Sequence, residues 1–270
     1  MNMVIIMYKL GLYAWFGGNV SIKDRFDAIK KAKFDCVSLY WGNEYEKTIG
    51  KNDDTINLVQ NVYHLEVENL HAPYATASDL FSDDEALAQK TICQYLKTIQ
   101  DAKKYHVPVI IIHLTGDIID EKVNKKGISR IKTLVDEAIK CNVKLAFENL
   151  KENGLNHLYA VLETYQEPCV GFCYDLGHAN LYKNTGVFDL LYKYKKRLFA
   201  THLHGNYQDF DCHNRIIDSN IDLNKLKKVF QDIQIKCPLS LEVIQPLNFN
   251  SNNELNEYVL KLKDDLKLLV

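Results

Sequence analysis

The 270-residue sequence is poor in proline, in net charge and in long apolar runs. Only five prolines occur, and no Pro/Gly-rich or low-complexity segment divides the chain, so we expect a single domain over residues 1–270. No run approaches the roughly 18 apolar residues that span a bilayer, which predicts no membrane partner. The formal net charge of −2 gives no whole-chain attraction to nucleic acid or anionic lipid.

The seven cysteines form no CxxC pair, and their number is odd. Several stand inside apolar runs, as Cys36 and Cys173 do. This pattern predicts reduced, buried thiols in a cytoplasmic protein and argues against a disulfide framework. The N-terminal MNMVIIMYKL has no basic residue before its apolar run and no small-residue cleavage site, which predicts no signal peptide.

Short apolar runs alternate with longer amphipathic stretches along the chain. The strand candidates are residues 8–16, 35–41, 65–72, 107–114, 143–150, 170–179, 197–204 and 238–244. The helix candidates are residues 21–32, about 55–64, 83–105, 127–140, 155–165, 189–196, 223–233 and 253–269. Ser21 and Asp24 form a variant of the capping box. Eight such units favour a TIM (β/α)8 barrel over a doubly wound sheet, because the first strand leads into no GxGxxG turn.

Histidines and carboxylates stand at or just after the carboxyl ends of these strand candidates. They are His71, His113, Glu148, Asp175, His178, His202, His204, Asp211, His213 and Glu242. In a parallel barrel all those ends point to one mouth, where active sites of this fold lie. Only His64, His106 and His157 fall outside this pattern. We therefore expect these side chains to converge.

Each of these residues alone has a simpler interpretation. His113 suits a hydrogen-bonded core histidine, and His204 is expected to stabilise a loop by hydrogen bonding. Glu148 or Glu242 alone would suit an ion pair with lysine, since a carboxylate in an apolar strand must pair or coordinate. Several carboxylates at one mouth are costly without compensation, and these strand ends carry no comparable supply of lysine or arginine. Divalent cations would supply the missing charge. Nitrogen and oxygen donors suit Zn or Mn in the first place, with Mg or Co as alternatives, in one to three ions.

The motifs at these strand ends resemble those of the xylose isomerase-like TIM barrel superfamily. It contains sugar and sugar-phosphate isomerases and epimerases together with the endonuclease IV group, AP endonuclease family 2, which repairs apurinic sites. The motifs that carry the resemblance, in order from residue 71 to residue 244, are HAPY, IIIHL, AFENL, YDLGHAN, HLHGN, DCH and SLEV. The resemblance implies the barrel fold, an enzyme and a metal site.

The two branches imply different ligand sets. In the endonuclease IV group three metals would fall on His71, His113 and Glu148, on Glu148, Asp175, His202 and Glu242, and on His178, Asp211 and His213. The epimerases use only Glu148, Asp175, His202 and Glu242 around one metal. In that branch Glu148 and Glu242 also act as acid and base, and His178 contacts sugar oxygens. All nine positions are filled, but the segment 176–182 resembles the epimerase branch. The mainly acidic loop 42–54 also argues against a DNA clamp.

Three functions are consistent with this pattern. The first is a metal-dependent sugar or sugar-phosphate isomerase or epimerase, in which Glu148 and Glu242 exchange a proton through an enediolate. The second is an apurinic-site phosphodiesterase with a trinuclear zinc site, the only one with a nucleic-acid partner. The third is a non-catalytic barrel that binds a metal or ligand for regulation. The presence of both glutamates argues against it, because a binding module needs no matched acid and base. Trp15 and Trp41 suit sugar stacking or packing at the mouth, and Arg215 and Lys151 are candidate phosphate contacts.

Overall fold

The protein alternates short strands with helices in a computed structural model that describes residues 8–43, 51–116, 122–245 and 248–270. The strands are β1 Leu10–Tyr13, β2 Cys36–Tyr40, β3 Glu66–His71, β4 Val109–Ile112, β5 Lys144–Glu148, β6 Val170–Asp175, β7 Leu198–His202 and β8 Leu239–Leu241. Each lies inside its strand candidate. The sixth candidate, 170–179, was too long, because the chain turns into a helix directly after Asp175.

The helices stand between the strands, as the amphipathic stretches predict. They are α1 Ile22–Lys31, α2 Asn52–Asn57, α3 Glu85–Lys104, α4 Lys125–Cys141, α5 Leu155–Thr164, α6 Leu176–Asn180, α7 Asp189–Tyr194, α8 Leu223–Ile233 and α9 Asn252–Lys267. A π-helical turn, Leu58–Val62, continues α2. Shorter 3-10 turns lie at Ala77–Phe81, Glu152–Gly154 and Lys195–Arg197. The predicted cap at α1 is confirmed, since Ser21 Oγ accepts a hydrogen bond from the Asp24 amide at 3.1 Å.

The eight strands form one parallel sheet in the order β7-β6-β5-β4-β3-β2-β1-β8. Its two edge strands meet at a single parallel bridge between Leu203 and Leu241. The Leu203 amide donates to Ser240 O at 2.8 Å, and the Glu242 amide donates to Leu203 O at 3.2 Å. These bonds close the sheet into a barrel, so the predicted TIM (β/α)8 fold is confirmed.

Side chains alternate between the helix-facing and axial sides of each strand. Outward residues such as Ile110, Phe147 and Phe172 join the large core beneath the helices. A second small cluster fills the barrel axis and comprises Val109, Ile111, Ala146, Cys173 and Ala200, with Phe199 packed against it. Both sides of the strands are therefore buried, which explains their continuous apolar runs. Among the described helices, none is long and apolar enough to cross a bilayer.

Candidate metal centre at the barrel mouth

Strand periodicity places the predicted ligands above the axial cluster. His113, Glu148, Asp175 and His202 each stand two residues after an axial residue, namely Ile111, Ala146, Cys173 and Ala200. Side chains two residues apart on a strand point to the same side. Asp175 and His202 are moreover direct partners in the β6–β7 register. The alternation therefore carries these four side chains to the axis at the carboxyl end of the barrel.

Glu148, Asp175, His202 and Glu242, which we call the four-ligand group, converge within a few ångströms. Their nearest potential ligand atoms all lie within 4.8 Å of one another. His202 Nδ1 is 2.9 Å from Glu242 Oε2, 3.2 Å from Glu148 Oε2 and 3.9 Å from Asp175 Oδ2. All four residues are buried. The sequence prediction that they come together is thus met by the geometry.

The donor set of the four-ligand group fits a divalent cation. Three buried carboxylates face one another, and no lysine or arginine of the described residues forms an ion pair with any of them. Both ring nitrogens of the buried His202 lack a hydrogen-bond partner among the described residues. The short contacts from His202 Nδ1 are therefore not aligned for proton donation, as expected when ligand atoms surround a common point. A bound cation would satisfy these atoms and neutralise the carboxylates.

A second set shares Glu148 with the four-ligand group. His71 Nε2 lies 3.4 Å and His113 Nε2 lies 3.2 Å from Glu148 Oε2, and these three residues also group within 4.8 Å. The His71 Nδ1 atom is 2.9 Å from Ala72 O, which turns Nε2 toward Glu148. The Tyr74 ring stacks on the His113 ring with centroids 4.7 Å apart. This side of the mouth is therefore walled by an aromatic ring.

The third predicted set, His178, Asp211 and His213, is only partly gathered. His178 Nε2 is 3.0 Å and His213 Nε2 is 3.5 Å from Asp211 Oδ2, but the two rings stand 6.4 Å apart between centroids. His204 groups instead with His213 and Glu242. The His204 and His213 rings stack at 3.9 Å with an interplanar angle of 12°. Because ring lone pairs lie in the ring plane, stacked rings do not converge on one ion in this arrangement.

Sequence reasoning missed the part that His204 and Asn149 play in holding Asp175. His204 Nε2 lies 3.0 Å from Asp175 Oδ2, and His204 is fully buried, so it does more than stabilise a loop. Asn149 accepts from the Asp175 amide at 2.7 Å and donates to Asp175 O at 2.9 Å. Its own carbonyl lies 3.0 Å from His178 Nδ1. The sequence did contain one indication of this role, because Asn149 directly follows Glu148 in AFENL and a buried side-chain amide must find hydrogen-bond partners.

Glu68 is a further buried carboxyl that the strand-end pattern does not include. It stands on β3, three residues before His71, and its carboxylate accepts a hydrogen bond from the Ser240 hydroxyl. Burial raises the pKa of Glu68 to about 7. It is absent from all the metal-holding groups formed by the described residues. Its position inside a strand, away from the carboxyl end, gave no signal in the sequence.

The charges at the mouth shift one another's pKa in opposite directions. Burial raises the pKa of Glu148, but the imidazoles of His202 and His113 outweigh it and hold this pKa well below its ordinary value. Burial also raises the pKa of Glu242, but the charge of His202 outweighs burial and lowers this pKa to about 2. Burial lowers the pKa of His213, but Asp211 and Glu242 outweigh it and raise this pKa to about 9. Without a cation, imidazolium charge thus compensates the carboxylates.

The structure decides between alternatives for Trp41 and shows that Arg215 is engaged elsewhere. The Trp41 indole donates from Nε1 to Asp101 Oδ2 at 2.8 Å and packs edge-on against Tyr105, so it is engaged by α3 and its C-cap and is not free to stack on a sugar. Arg215 donates two hydrogen bonds of 2.8 Å to Asp265 on α9 and is not a free phosphate contact. Residues 44–50 of the acidic loop lie outside the described residues.

Comparison with known proteins adds the family. Residues 26–263 match the model of the xylose isomerase-like TIM barrel family. Solved structures with the same fold include a D-tagatose 3-epimerase-like protein at 19% identity, with 97% of this chain and 98% of that chain covered and a TM-score of 0.74. The 3-keto-D-glucoside 4-epimerase of E. coli is 13% identical, with 97% and 99% covered and a TM-score of 0.72.

A zinc-bound structure of the IOLI protein also shares the fold, at 16% identity with 97% and 98% covered and a TM-score of 0.74. An uncharacterized protein of Sinorhizobium fredii is 36% identical over 108 residues. That match covers 38% of this chain and only 34% of this curated relative. The family match extends over most of the chain and includes every residue of the four-ligand group. The chain therefore belongs to the xylose isomerase-like TIM barrel family.

Proposed function

We propose that the protein is a metal-dependent sugar isomerase or epimerase that moves a proton at a carbon next to a carbonyl group. The observation that carries this proposal is the four-ligand group, in which Glu148 from β5 and Glu242 from the end of β8 converge on His202. Two glutamates from different strands can reach a substrate from different sides. Solved neighbours named as a D-tagatose 3-epimerase-like protein and a 3-keto-D-glucoside 4-epimerase support the same reaction class.

The two glutamates would carry the proton. Their lowered pKa values mean that both are ionised near neutral pH, as a carboxylate base must be. One removes the proton from the carbon beside the carbonyl and passes it to solvent. The other takes a proton from solvent and delivers it to the opposite face in an epimerase or to the neighbouring carbon in an isomerase. A sugar hydroxyl bound by His178 would take the place of its Nε2 contact with Asp211, because Nδ1 is engaged by the Asn149 carbonyl.

Glu148, Asp175, His202 and Glu242 would hold the metal ion. A divalent cation bound there supplies Lewis-acid polarisation of the carbonyl and stabilises the negative charge that develops on the sugar oxygens. Zinc and manganese are the first candidates, since the ligands are imidazole nitrogen and carboxylate oxygen. Arg215, one of the two candidate phosphate contacts, is engaged by Asp265, so free ketoses are the first substrates to test.

Solvent deuterium exchange tests this proposal without prior choice of the product. Metal-loaded protein is incubated in D2O with D-tagatose, D-allulose or a 3-keto-glucoside, and carbon-bound deuterium is measured by NMR. We expect exchange with at least one of these sugars and a loss of about 10²- to 10⁴-fold in both Glu148→Gln and Glu242→Gln. The exposed Glu257→Gln is the matched control. Exchange that persists in both glutamate variants would contradict the proposal.

An apurinic-site phosphodiesterase is the second candidate, favoured by the grouping of His71 and His113 around Glu148. Such an enzyme would use the additional ligands to bind phosphate and activate water. Metal analysis of purified protein, together with an abasic-site oligonucleotide, separates the two. Three tightly held zinc ions and cleavage that Glu242→Gln abolishes would establish the second function. One exchangeable ion and no cleavage would exclude the phosphodiesterase and favour the sugar isomerase or epimerase.

A further inference from the structure

The ring of His204 lies directly against a glycine of the short helix α6. A Cβ atom built on Gly177 would be 1.9 Å from Cε1, 2.2 Å from Nδ1 and 2.6 Å from Nε2 of His204. Nonbonded heavy atoms pack at about 3.5–4.0 Å. Residue 177 therefore has no room for a side chain while the His204 ring keeps its place, and the glycine serves the close approach of the ring.

The ring has little freedom to move aside. His204 is fully buried, and its ring stacks on the His213 ring with centroids 3.9 Å apart. Its Nε2 atom lies 3.0 Å from Asp175 Oδ2. Protein interiors are close-packed, so a buried ring with these neighbours has few other positions. A side chain at residue 177 would thus displace the ring from Asp175.

The backbone at Gly177 is held as well. The Asn206 side chain donates to Gly177 O at 2.8 Å. On the other side of the glycine, the His178 amide donates to Asp175 Oδ1 at 2.6 Å, as the N-cap bond of α6. With the peptide units on both sides of Gly177 anchored, an added methyl group would act on the ring of His204 and not on the path of the chain.

The oxygen of Asp175 that His204 holds is the one that faces the four-ligand group. Asp175 Oδ1 caps α6, whereas Oδ2 lies 3.0 Å from His204 Nε2 and 3.9 Å from His202 Nδ1. A ligand carboxylate is commonly oriented by a hydrogen bond from a residue that does not touch the metal. The position of Oδ2 therefore depends on His204, and through it on Gly177.

We propose that Gly177 is a positioning residue of the candidate metal centre. The absence of a side chain at residue 177 admits the His204 ring, and this ring turns Asp175 Oδ2 toward the ion. The inference rests on the metal site of the proposed function. It extends that proposal by making the affinity for the ion depend on a residue that has no ligand atom of its own.

Zinc titration against a competing chelator tests the inference on folded, metal-free protein. We expect Gly177→Ala to weaken zinc binding about 10- to 100-fold, and His204→Ala to do the same. Gly127→Ala is the matched control, because a Cβ atom on this buried glycine of α4 would lie 2.2 Å from the Phe81 ring. It creates the same kind of clash in the core beneath the helices, so it should lower stability and leave zinc affinity unchanged.

A double variant separates positioning from packing. His204→Gln keeps an N–H donor for Asp175 on a flexible side chain that can bend around a methyl group. We expect His204→Gln alone to bind zinc within about threefold of the wild type. We expect Gly177→Ala combined with His204→Gln to recover about tenfold of the affinity that Gly177→Ala loses. A glycine needed only for the fold of α6 would show no such recovery.

Wild-type zinc affinity in Gly177→Ala would overturn the inference, and so would a double variant that binds no better than Gly177→Ala. If Gly177→Ala does not fold, the single variants of His204 decide. An equal loss of affinity in His204→Ala and His204→Gln would then overturn the inference, and a loss confined to His204→Ala would support it. Wild-type protein that binds neither zinc nor manganese would instead count against the proposed function.

Discussion

At the scale of single residues, the buried amide of Asn149 organises the candidate metal centre. It bonds both the amide and the carbonyl of Asp175, and its Nδ2 also donates to Tyr182 Oη at 2.9 Å. The Tyr182 hydroxyl in turn donates to Leu150 O at 3.0 Å. These bonds connect the ends of β5 and β6, where Glu148 and Asp175 stand. Side chains that hold a ligand in this way fix its orientation before a metal arrives.

We expect Asn149→Ala to weaken both metal binding and folding. The change leaves the buried backbone amide of Asp175 without its partner and removes one of the bonds to its carbonyl, which costs about 1–3 kcal/mol of unfolding free energy. Metal affinity should fall about 10- to 100-fold because Asp175 is no longer oriented. Urea unfolding and competitive metal titration measure the two effects. Asn253→Ala, at an exposed position on α9, should change neither. Unaltered metal affinity in Asn149→Ala would show that Asp175 needs no such support.

The candidate ligands were predictable because strand ends are visible in the sequence. His113, Glu148 and Asp175 each terminate an apolar run, and parallel strands bring such ends together. The partners of these ligands were not predictable in the same way. His204 and Asn149 act through contacts across the barrel, and Trp41 finds Asp101 sixty residues away. Long-range pairings of this kind leave no local pattern in the chain.

At the scale of elements, the 205–214 loop is tied to α9 through Arg215 and Asp265. The guanidinium donates from Nε and Nη2 to the two carboxylate oxygens at 2.8 Å each, with Asp265 almost fully buried. Two parallel charge-assisted bonds fix geometry as well as adding stability. His213, two residues before Arg215, adopts a left-handed backbone with φ of 45°. Surrounding contacts must hold a non-glycine residue there, since this conformation costs about 1–2 kcal/mol.

A double-mutant cycle on Arg215 and Asp265 should reveal a coupling of about 2 kcal/mol in unfolding free energy. Arg215→Ala, Asp265→Ala and the double variant are compared by urea unfolding. The exposed i, i+4 pair Lys228 and Asp232 on α8 provides the control, and its coupling should be about 0.3–0.5 kcal/mol. A coupling at Arg215 no larger than that of the control would mean that the loop is held by its backbone bonds alone.

The bounds of the elements show where sequence patterns lose information. The apolar run that forms β6 continues through Leu176 and Ala179, so hydrophobicity alone extends the strand too far. Asp175 ends it by accepting a hydrogen bond from the His178 amide at 2.6 Å, as the N-cap of α6. The residue that caps the helix is thus also a candidate metal ligand. A helix of five residues is too short to show a period.

At the scale of the whole molecule, the mouth concentrates charge that the rest of the chain does not show. The formal net charge is −2, yet the mouth gathers four carboxylates and six histidines. Composition could exclude a basic nucleic-acid surface over the whole chain but could not locate this cluster. The barrel fold supplies the missing information, since it gathers strand ends that lie far apart in sequence.

The metal-free protein should be most stable between about pH 4.5 and 6.5. The pKa of Glu242 is lowered from 4.5 to about 2, so its contribution is present above pH 4.5 and is lost as pH falls toward 2. The pKa of His213 is raised from 6.5 to about 9, so its contribution is present below pH 6.5 and is lost as pH rises toward 9. The second loss is on the order of 3 kcal/mol.

Urea unfolding in EDTA across this range measures the profile. His213→Gln should reduce the loss of stability on the alkaline side, because one of the histidines with a raised pKa is removed. Adding zinc or manganese should also flatten it, since metal binding requires neutral imidazoles and strengthens as pH rises. A metal-free protein that is equally stable at pH 6.5 and pH 9 would show that His213 is not held as imidazolium in the folded state.

The seam of the barrel runs through the candidate metal centre. β7 and β8 are the edges of the sheet, and they carry His202 and the residue after β8, Glu242. Part of their pairing is made by a side chain, since the Thr201 hydroxyl accepts from the Ser240 amide and donates to Pro238 O. An ion held by His202 and Glu242 would link β7 to β8 across the strand pair with the fewest backbone bonds. Loss of the ion would weaken this strand pair first and leave the other seven strand pairs of the barrel intact.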